Sequence, residues 1–152
     1  MNAVRLGLGF DHRILRQPRY RLDLRGLDVV VFPELVDGGY AALERGEGVH
    51  RRGDALWKIF REASRAFSCT CVGGSMLIRD GESGGTNTSY VFSRGRVLHR
   101  YDKLHLFRPT GDQRHFVRGE GIGTFGFTVP GGYGDPPLQM ICTGLPAHRC
   151  RG

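Results

Sequence analysis

The run Asp28-Val29-Val30-Val31-Phe32-Pro33 constrains the fold more than any other stretch of the chain. Three consecutive valines and a phenylalanine offer no polar side to solvent, so the run reads as a strand covered on both faces. Strands of that kind sit in sheets shielded by helices or by a second layer. Pro33 has no backbone N–H to continue a ladder, which places Glu34 just past the strand end.

The neighbouring segments fit such a sheet. Val4 to Leu8 alternates as a first strand, while Asp11 to Gly26 is polar and poorly patterned, with room for a short helix. Gly38-Gly39 and the charged stretch Glu44 to Arg52 read as loop. Asp54 is a suitable N-cap for a helix whose apolar face is Leu56, Ile59, Phe60, Ala63 and Phe67. Cys69 to Ile78 reads as a strand broken by Gly73-Gly74, and Arg79 to Thr86 as a polar turn. Ser89 to Ser93 and Arg96 to Tyr101 flank Arg94-Gly95 as a hairpin. Phe125 to Val129 and Leu138 to Ile141 are the last strand candidates. The order predicts a layered α/β or α+β domain.

The chain has 152 residues, the length of one domain with one core, and its 39% hydrophobic content points to a globular protein rather than a disordered one. No apolar run approaches the roughly 18 residues of a membrane helix, and the N-terminus carries too short an apolar stretch for a signal peptide. A cytoplasmic location and no membrane partner are therefore the expectation. The net charge is +7, yet the basic residues are spread along the chain and only Lys58 and Lys103 are lysines. That spread, with no accompanying motif, argues against a nucleic-acid partner; a basic nucleic-acid-binding module is kept as the lesser alternative.

Four cysteines, Cys69, Cys71, Cys142 and Cys150, allow two disulfides, but without a secretory signal that pairing is disfavoured. Cys69-x-Cys71 lacks the gap of a zinc pair, and Cys142, His148 and Cys150 fit no familiar ligand spacing, so no metal is expected. On one strand Cys69 and Cys71 share a face and pack there.

Three reactive side chains share a context: Glu34, Lys103 and Cys142 each follow a strand. Groups just past strand ends converge on one crevice while their backbones stay rigid. A thiol needs a base or a positive neighbour to become a thiolate at neutral pH. Glu34 can take the proton, and Lys103 can stabilise the oxyanion as Cys142 attacks a carbonyl or nitrile carbon. Backbone N–H groups after the cysteine, beginning with Thr143, are natural second donors.

The words around these residues are Val31-Phe32-Pro33-Glu34-Leu35, Asn87-Thr88-Ser89-Tyr90-Val91, Tyr101-Asp102-Lys103-Leu104-His105-Leu106-Phe107 and Met140-Ile141-Cys142. In this order and spacing the chain resembles the carbon–nitrogen hydrolase, or nitrilase, superfamily. The resemblance implies the N-terminal part of an α-β-β-α sandwich, homodimers in full-length members, no cofactor, and a small-molecule amide or nitrile as substrate. It also implies the roles of general base for Glu34, oxyanion stabiliser for Lys103 and nucleophile for Cys142. "KLHLF" followed by "RPTGDQRHF" resembles the small-acid amidase branch, including omega-amidase-like enzymes, which hydrolyse the terminal amide of short dicarboxylic monoamides. Asp112 falls near the place where many relatives carry a second, substrate-positioning glutamate; a plain turn residue is the other reading.

After Cys142 the resemblance stops. Thr143-Gly144-Leu145-Pro146-Ala147-His148-Arg149 stands where the family continues with a Tyr-Asp-Leu-Arg-Phe-Pro-Glu-like stretch. Residues 1–142 therefore read as a partial hydrolase domain and 143–152 as a divergent tail. Family domains run to roughly 250–300 residues, so an inactive truncated or frameshifted fragment is the alternative to a working hydrolase.

Overall fold

A computed structural model describes residues 6–8, 24–81, 84–127 and 138–142. The valine run forms β2 (Val29–Val31), flanked in parallel by β1 (Leu6–Leu8) and β4 (Thr70–Val72). β4 is followed at once by β5 (Met76–Ile78), and both lie antiparallel to β6 (Gly85–Ser93). A two-residue strand, β3 (Val49–His50), runs parallel to β5. On its other edge β6 carries β7 (Arg96–Asp102) and β8 (Phe116–Val117). The result is an eight-stranded mixed sheet in the order β1-β2-β4-β6-β5-β3, with β7 and β8 also hydrogen-bonded to β6. A separate two-stranded sheet pairs β9 (Gly123–Phe127) with β10 (Leu138–Cys142).

Burial explains the segment patterns. The helix α2 (Ala55–Ala66), which follows α1 (Gly39–Glu44), buries Leu56, Phe60, Ala63 and Ser64. Leu56 and Phe60 pack with Val30, Phe32, Cys69, Cys71, Met76, Ile78, Tyr90 and Phe92 in the main core. Leu77, between Met76 and Ile78, faces the opposite way into a second cluster with Leu35, Leu43 and Phe116. The alternation along β5 shows a strand with apolar neighbours on both sides. Phe60 lies 4.9 Å from Phe32, ring to ring, and locks the helix onto the strand that precedes Glu34. Cys69 and Cys71 are free, buried thiols within this core.

Several expectations shift in detail. Asp54 occupies the N-cap of α2, but its carboxylate accepts from the Arg51 backbone N–H at 2.7 Å instead of capping the helix. β6 begins at Gly85, inside the stretch read as a polar turn, because it pairs with β8 there. Helix α1 joins the two stretches read as loop, Gly38-Gly39 and Glu44 to Arg52, and β3 lies within the second; both elements are too short to leave a periodic signature. Most of Asp11–Gly26, and the whole of 143–152, lie outside the described residues. No helix among the described residues is long and apolar enough to cross a membrane.

The break between β4 and β5 is the feature that positions the site. There the chain leaves β6 and docks against the segment after β2: the Phe32 N–H donates to the Val72 carbonyl at 2.9 Å and the Ser75 N–H to the Pro33 carbonyl at 3.3 Å. Gly74 adopts φ +66, and a Cβ there would overlap the Pro33 carbonyl oxygen. Replacing Gly74 by alanine therefore both strains the backbone and pushes Pro33 away. Gly74→Ala should destabilise the chain by about 3 kcal/mol, read as a lower urea midpoint at unchanged m-value.

Candidate active site

Glu34 leaves the sheet on a segment held from both sides. The Leu35 N–H donates to Ser75 Oγ at 3.0 Å and the Val36 N–H to the Ser75 carbonyl at 3.0 Å. Leu35 takes φ 47, a left-handed conformation that costs about 1 kcal/mol for a side-chain-bearing residue and that these bonds sustain. The turn directs Glu34 towards β6 and the end of β7. Its Oε1 accepts from Lys103 Nζ at 2.6 Å and from Asn87 Nδ2 at 2.8 Å, and the Tyr40 hydroxyl oxygen lies 3.5 Å away. Oε2 has no hydrogen-bond partner among the described residues.

Lys103 is fixed through its backbone. Its N–H donates to the Asn87 carbonyl at 2.9 Å, and its own carbonyl accepts from the Gly119 N–H at 3.0 Å. The side chain then runs between two carboxylates, with Asp112 Oδ2 at 2.8 Å opposite Glu34. Asp112, in the one-turn helix α3 (Asp112–His115), is 0% exposed. It accepts the Phe107 N–H at 2.8 Å, the Thr110 hydroxyl at 2.8 Å and the Tyr40 hydroxyl at 2.7 Å in addition to Lys103. Its oxygens are thus occupied, and it stands behind the lysine rather than on the cavity wall.

These contacts set the charge states. Burial disfavours the Lys103 ammonium, but the hydrogen bonds to Asp112 and Glu34 outweigh burial and hold its pKa above the ordinary value. Burial likewise works against ionised Asp112, and the bonds from Lys103, Phe107, Tyr40 and Thr110 prevail, holding it below the usual carboxylate range. Burial raises the Tyr40 phenol, which stays protonated and donates to Asp112. Two carboxylates flank one ammonium with different duties: Asp112 is buried and saturated, whereas Glu34, with its side chain 44% exposed, keeps an open oxygen.

Glu34 and Lys103 line a cavity of about 790 Å³. Phe32, Val72 and Leu106 supply apolar wall, and Ser75, Asn87 and His105 supply polar groups. A pocket of this size with few convergent polar groups is the form of a small-molecule site.

The structure brings Glu34, Lys103 and Asp112 together. Cys142 is the last residue of β10, in register with Gly123 of β9; its side chain and all of Thr143 lie outside the described residues. Tyr40 and Asn87 were not singled out in the sequence. Asn87 falls inside the Asn-Thr-Ser-Tyr-Val word, but its role depends on β6 pairing with β5 and β7. Tyr40 sits in a helix too short to predict.

The profile of the carbon-nitrogen hydrolase family matches residues 15–139. The chain belongs to the carbon-nitrogen hydrolase family. It is 29% identical over 97 residues to the omega-amidase YafV of Escherichia coli K12, and 28% identical over 98 residues to that of Yersinia enterocolitica. These matches take in 63% and 61% of this chain but 36% and 35% of the relatives, so the chain spans about a third of their length. Among solved structures, XC1258 of Xanthomonas campestris, described as a CN-hydrolase superfamily protein, has a TM-score of 0.65 at 21% identity. That match covers 82% of this chain and 49% of XC1258. Saccharomyces cerevisiae Nit3, a member of branch 10 of the nitrilase superfamily, gives 0.60 at 19% identity, with 83% and 50% covered. The mixed α/β fold is that of this α-β-β-α sandwich superfamily.

The pairing of Lys103 with Asp112 makes stability depend on pH at both ends. Asp112, with its pKa depressed, contributes stability that is full above its unfolded value of 3.8 and is lost as pH falls through the lower folded value. Lys103, with its pKa raised, contributes stability that is full below 10.5 and is lost as pH rises through the higher folded value. Asp112→Asn should cost about 3 kcal/mol near neutrality and flatten the acid limb of a pH series of urea unfolding curves. Lys103→Met should flatten the alkaline limb.

Proposed function

We propose that the chain carries the base and cation of a thiol-dependent amidase that hydrolyses the terminal amide of a short carboxylic acid. The observation that supports this reading is the placement of Glu34 and Lys103, in direct contact, on the wall of one cavity. Similarity to the YafV omega-amidases favours a dicarboxylic monoamide over a nitrile. Cys142 is the nucleophile in this proposal. Cys69 and Cys71 are poor candidates, because burial raises both thiols and both pack in the core.

In the first half-reaction Glu34 takes the thiol proton and the Cys142 sulfur bonds to the amide carbon. The carbonyl π electrons move onto oxygen, where Lys103 and the backbone N–H of Thr143 receive the charge. The tetrahedral adduct collapses, the C–N bond breaks, and the amine leaves as ammonia with the proton that Glu34 returns. In the second half-reaction Glu34 takes a proton from water, whose oxygen attacks the thioester carbon; the C–S bond breaks, Glu34 returns the proton to the leaving sulfur, and the acid is released. Asp112 touches no reacting atom. It keeps the lysine charged and fixes its reach.

Glu34→Gln should lower kcat/KM for a four- or five-carbon dicarboxylic monoamide by about 10²–10⁴-fold, and Cys142→Ala should abolish turnover, both followed by ammonia release. Hydroxylamine trapping should capture the acyl group as hydroxamate in the wild type and not in Cys142→Ala. Ammonia release that survives Cys142→Ala would refute the proposal. So would Cys142 alkylation no faster than that of Cys69 and Cys71.

A further inference from the structure

One face of α2 confronts the β6–β7 turn across a second cavity of about 360 Å³ that shares no lining residue with the candidate active site. Its wall carries Lys58, Arg61, Arg65, Arg94 and Arg96, with Glu62 as its one acidic residue. Lys58, Arg61 and Arg65 are spaced three and four residues apart and so lie along one helical face. Like charges at that spacing repel, and the hairpin adds two more opposite them. Among the described residues Lys58, Arg65, Arg94 and Arg96 form no ion pair to relieve the repulsion.

The helix and the turn are tied together. Arg61 Nε donates to the Gly95 carbonyl at 2.8 Å, and the Gly95 N–H donates to Ser64 Oγ at 3.0 Å. Ser64 is fully buried and donates in turn to the Arg61 carbonyl at 2.8 Å. The Arg61 guanidinium also lies 5.7 Å from the centre of the Trp57 ring, which restricts it further. At the turn, Arg94 holds φ 49 and Gly95 φ 78. Two-residue hairpins of this kind favour Asn or Asp before Gly; an arginine there accepts backbone strain and adds a cation to the rim.

We propose that this cavity binds an oligophosphate: a free di- or triphosphate, or the phosphate chain of a nucleotide. Guanidinium groups match phosphate oxygens in bidentate geometry, and four of them round one concavity suit a ligand with several adjacent negative charges. A single monovalent anion would leave most of the repulsion unrelieved.

The test is calorimetry of the full chain titrated with tripolyphosphate, a nucleoside triphosphate, a single-stranded oligonucleotide and sulfate at low salt. Emission of Trp57, the only tryptophan, supplies a second readout. Tripolyphosphate should bind at one site, about tenfold or more tighter than sulfate. A nucleoside triphosphate that binds tighter still assigns part of the site to the nucleoside, and equal affinity assigns it to phosphates alone; either supports the proposal. Arg94→Asn removes one cation while supplying a residue that favours the turn, so folding is retained, and it should weaken binding several-fold. Adding Arg65→Gln should take the loss beyond about tenfold, with unchanged circular dichroism. Equal affinity for sulfate and tripolyphosphate, or full affinity in the double variant, would overturn the proposal. Binding confined to a single-stranded oligonucleotide would overturn it too, making the patch a nucleic-acid surface.

Discussion

Strand β6 must satisfy both of its edges, and the site follows from how it does so. One edge is shared end to end by β4 and β5, the other by β7 and β8. Sharing an edge between two short strands forces a gap, and the gap at Gly73–Ser75 is where the Pro33–Val36 backbone docks. Just beyond the gap, paired with Leu77 of β5, stands Asn87, whose side chain holds Glu34 and whose carbonyl holds the Lys103 N–H. One residue of β6 thus sets the separation of the two charged groups. Buried and hydrogen-bonded on both its side chain and its backbone, it gives that separation little freedom.

Lys103 shows why the second carboxylate matters. A mostly buried ammonium facing Glu34 alone would lose its counter-charge whenever Glu34 took up a proton. Asp112 supplies a permanent one, because its four donors keep it ionised throughout. In the proposed mechanism, where Glu34 takes up and returns a proton, Asp112 would keep Lys103 paired throughout. Tyr40 contributes to the same division of labour. Its single proton is committed to Asp112 at 2.7 Å, and it sits at 3.5 Å from Glu34.

Much of this was legible in the sequence. Long, strongly patterned elements announced themselves: the valine strand, the helix over Leu56 and Phe60, and the hairpin at Arg94-Gly95. Glu34 and Lys103 were legible because each follows such a strand. The partners that tune them were not. Tyr40 rides on a six-residue helix with no detectable period, and Asn87 gains its role only from strand pairing between distant segments. Asp112 looked like a turn residue or a substrate contact, and its burial comes from the Phe107 N–H and the Thr110 hydroxyl folding back over it. Local composition carries no trace of such enclosure.

The Phe-Pro-Glu-Leu word gains physical meaning from this arrangement. Phe32 anchors the strand end in the core, and Pro33 frees the chain from the ladder while its carbonyl stays available to Ser75. Leu35 must then turn back into the second apolar cluster, which demands its left-handed backbone. None of these steps is self-sufficient. The turn at Leu35 persists because Ser75 receives two successive N–H groups, and Ser75 can reach them because Gly74 lets the two backbones approach. The segments around Glu34 and around Gly74 are two halves of one structural unit, separated by forty residues of chain, and the glutamate's aim belongs to both.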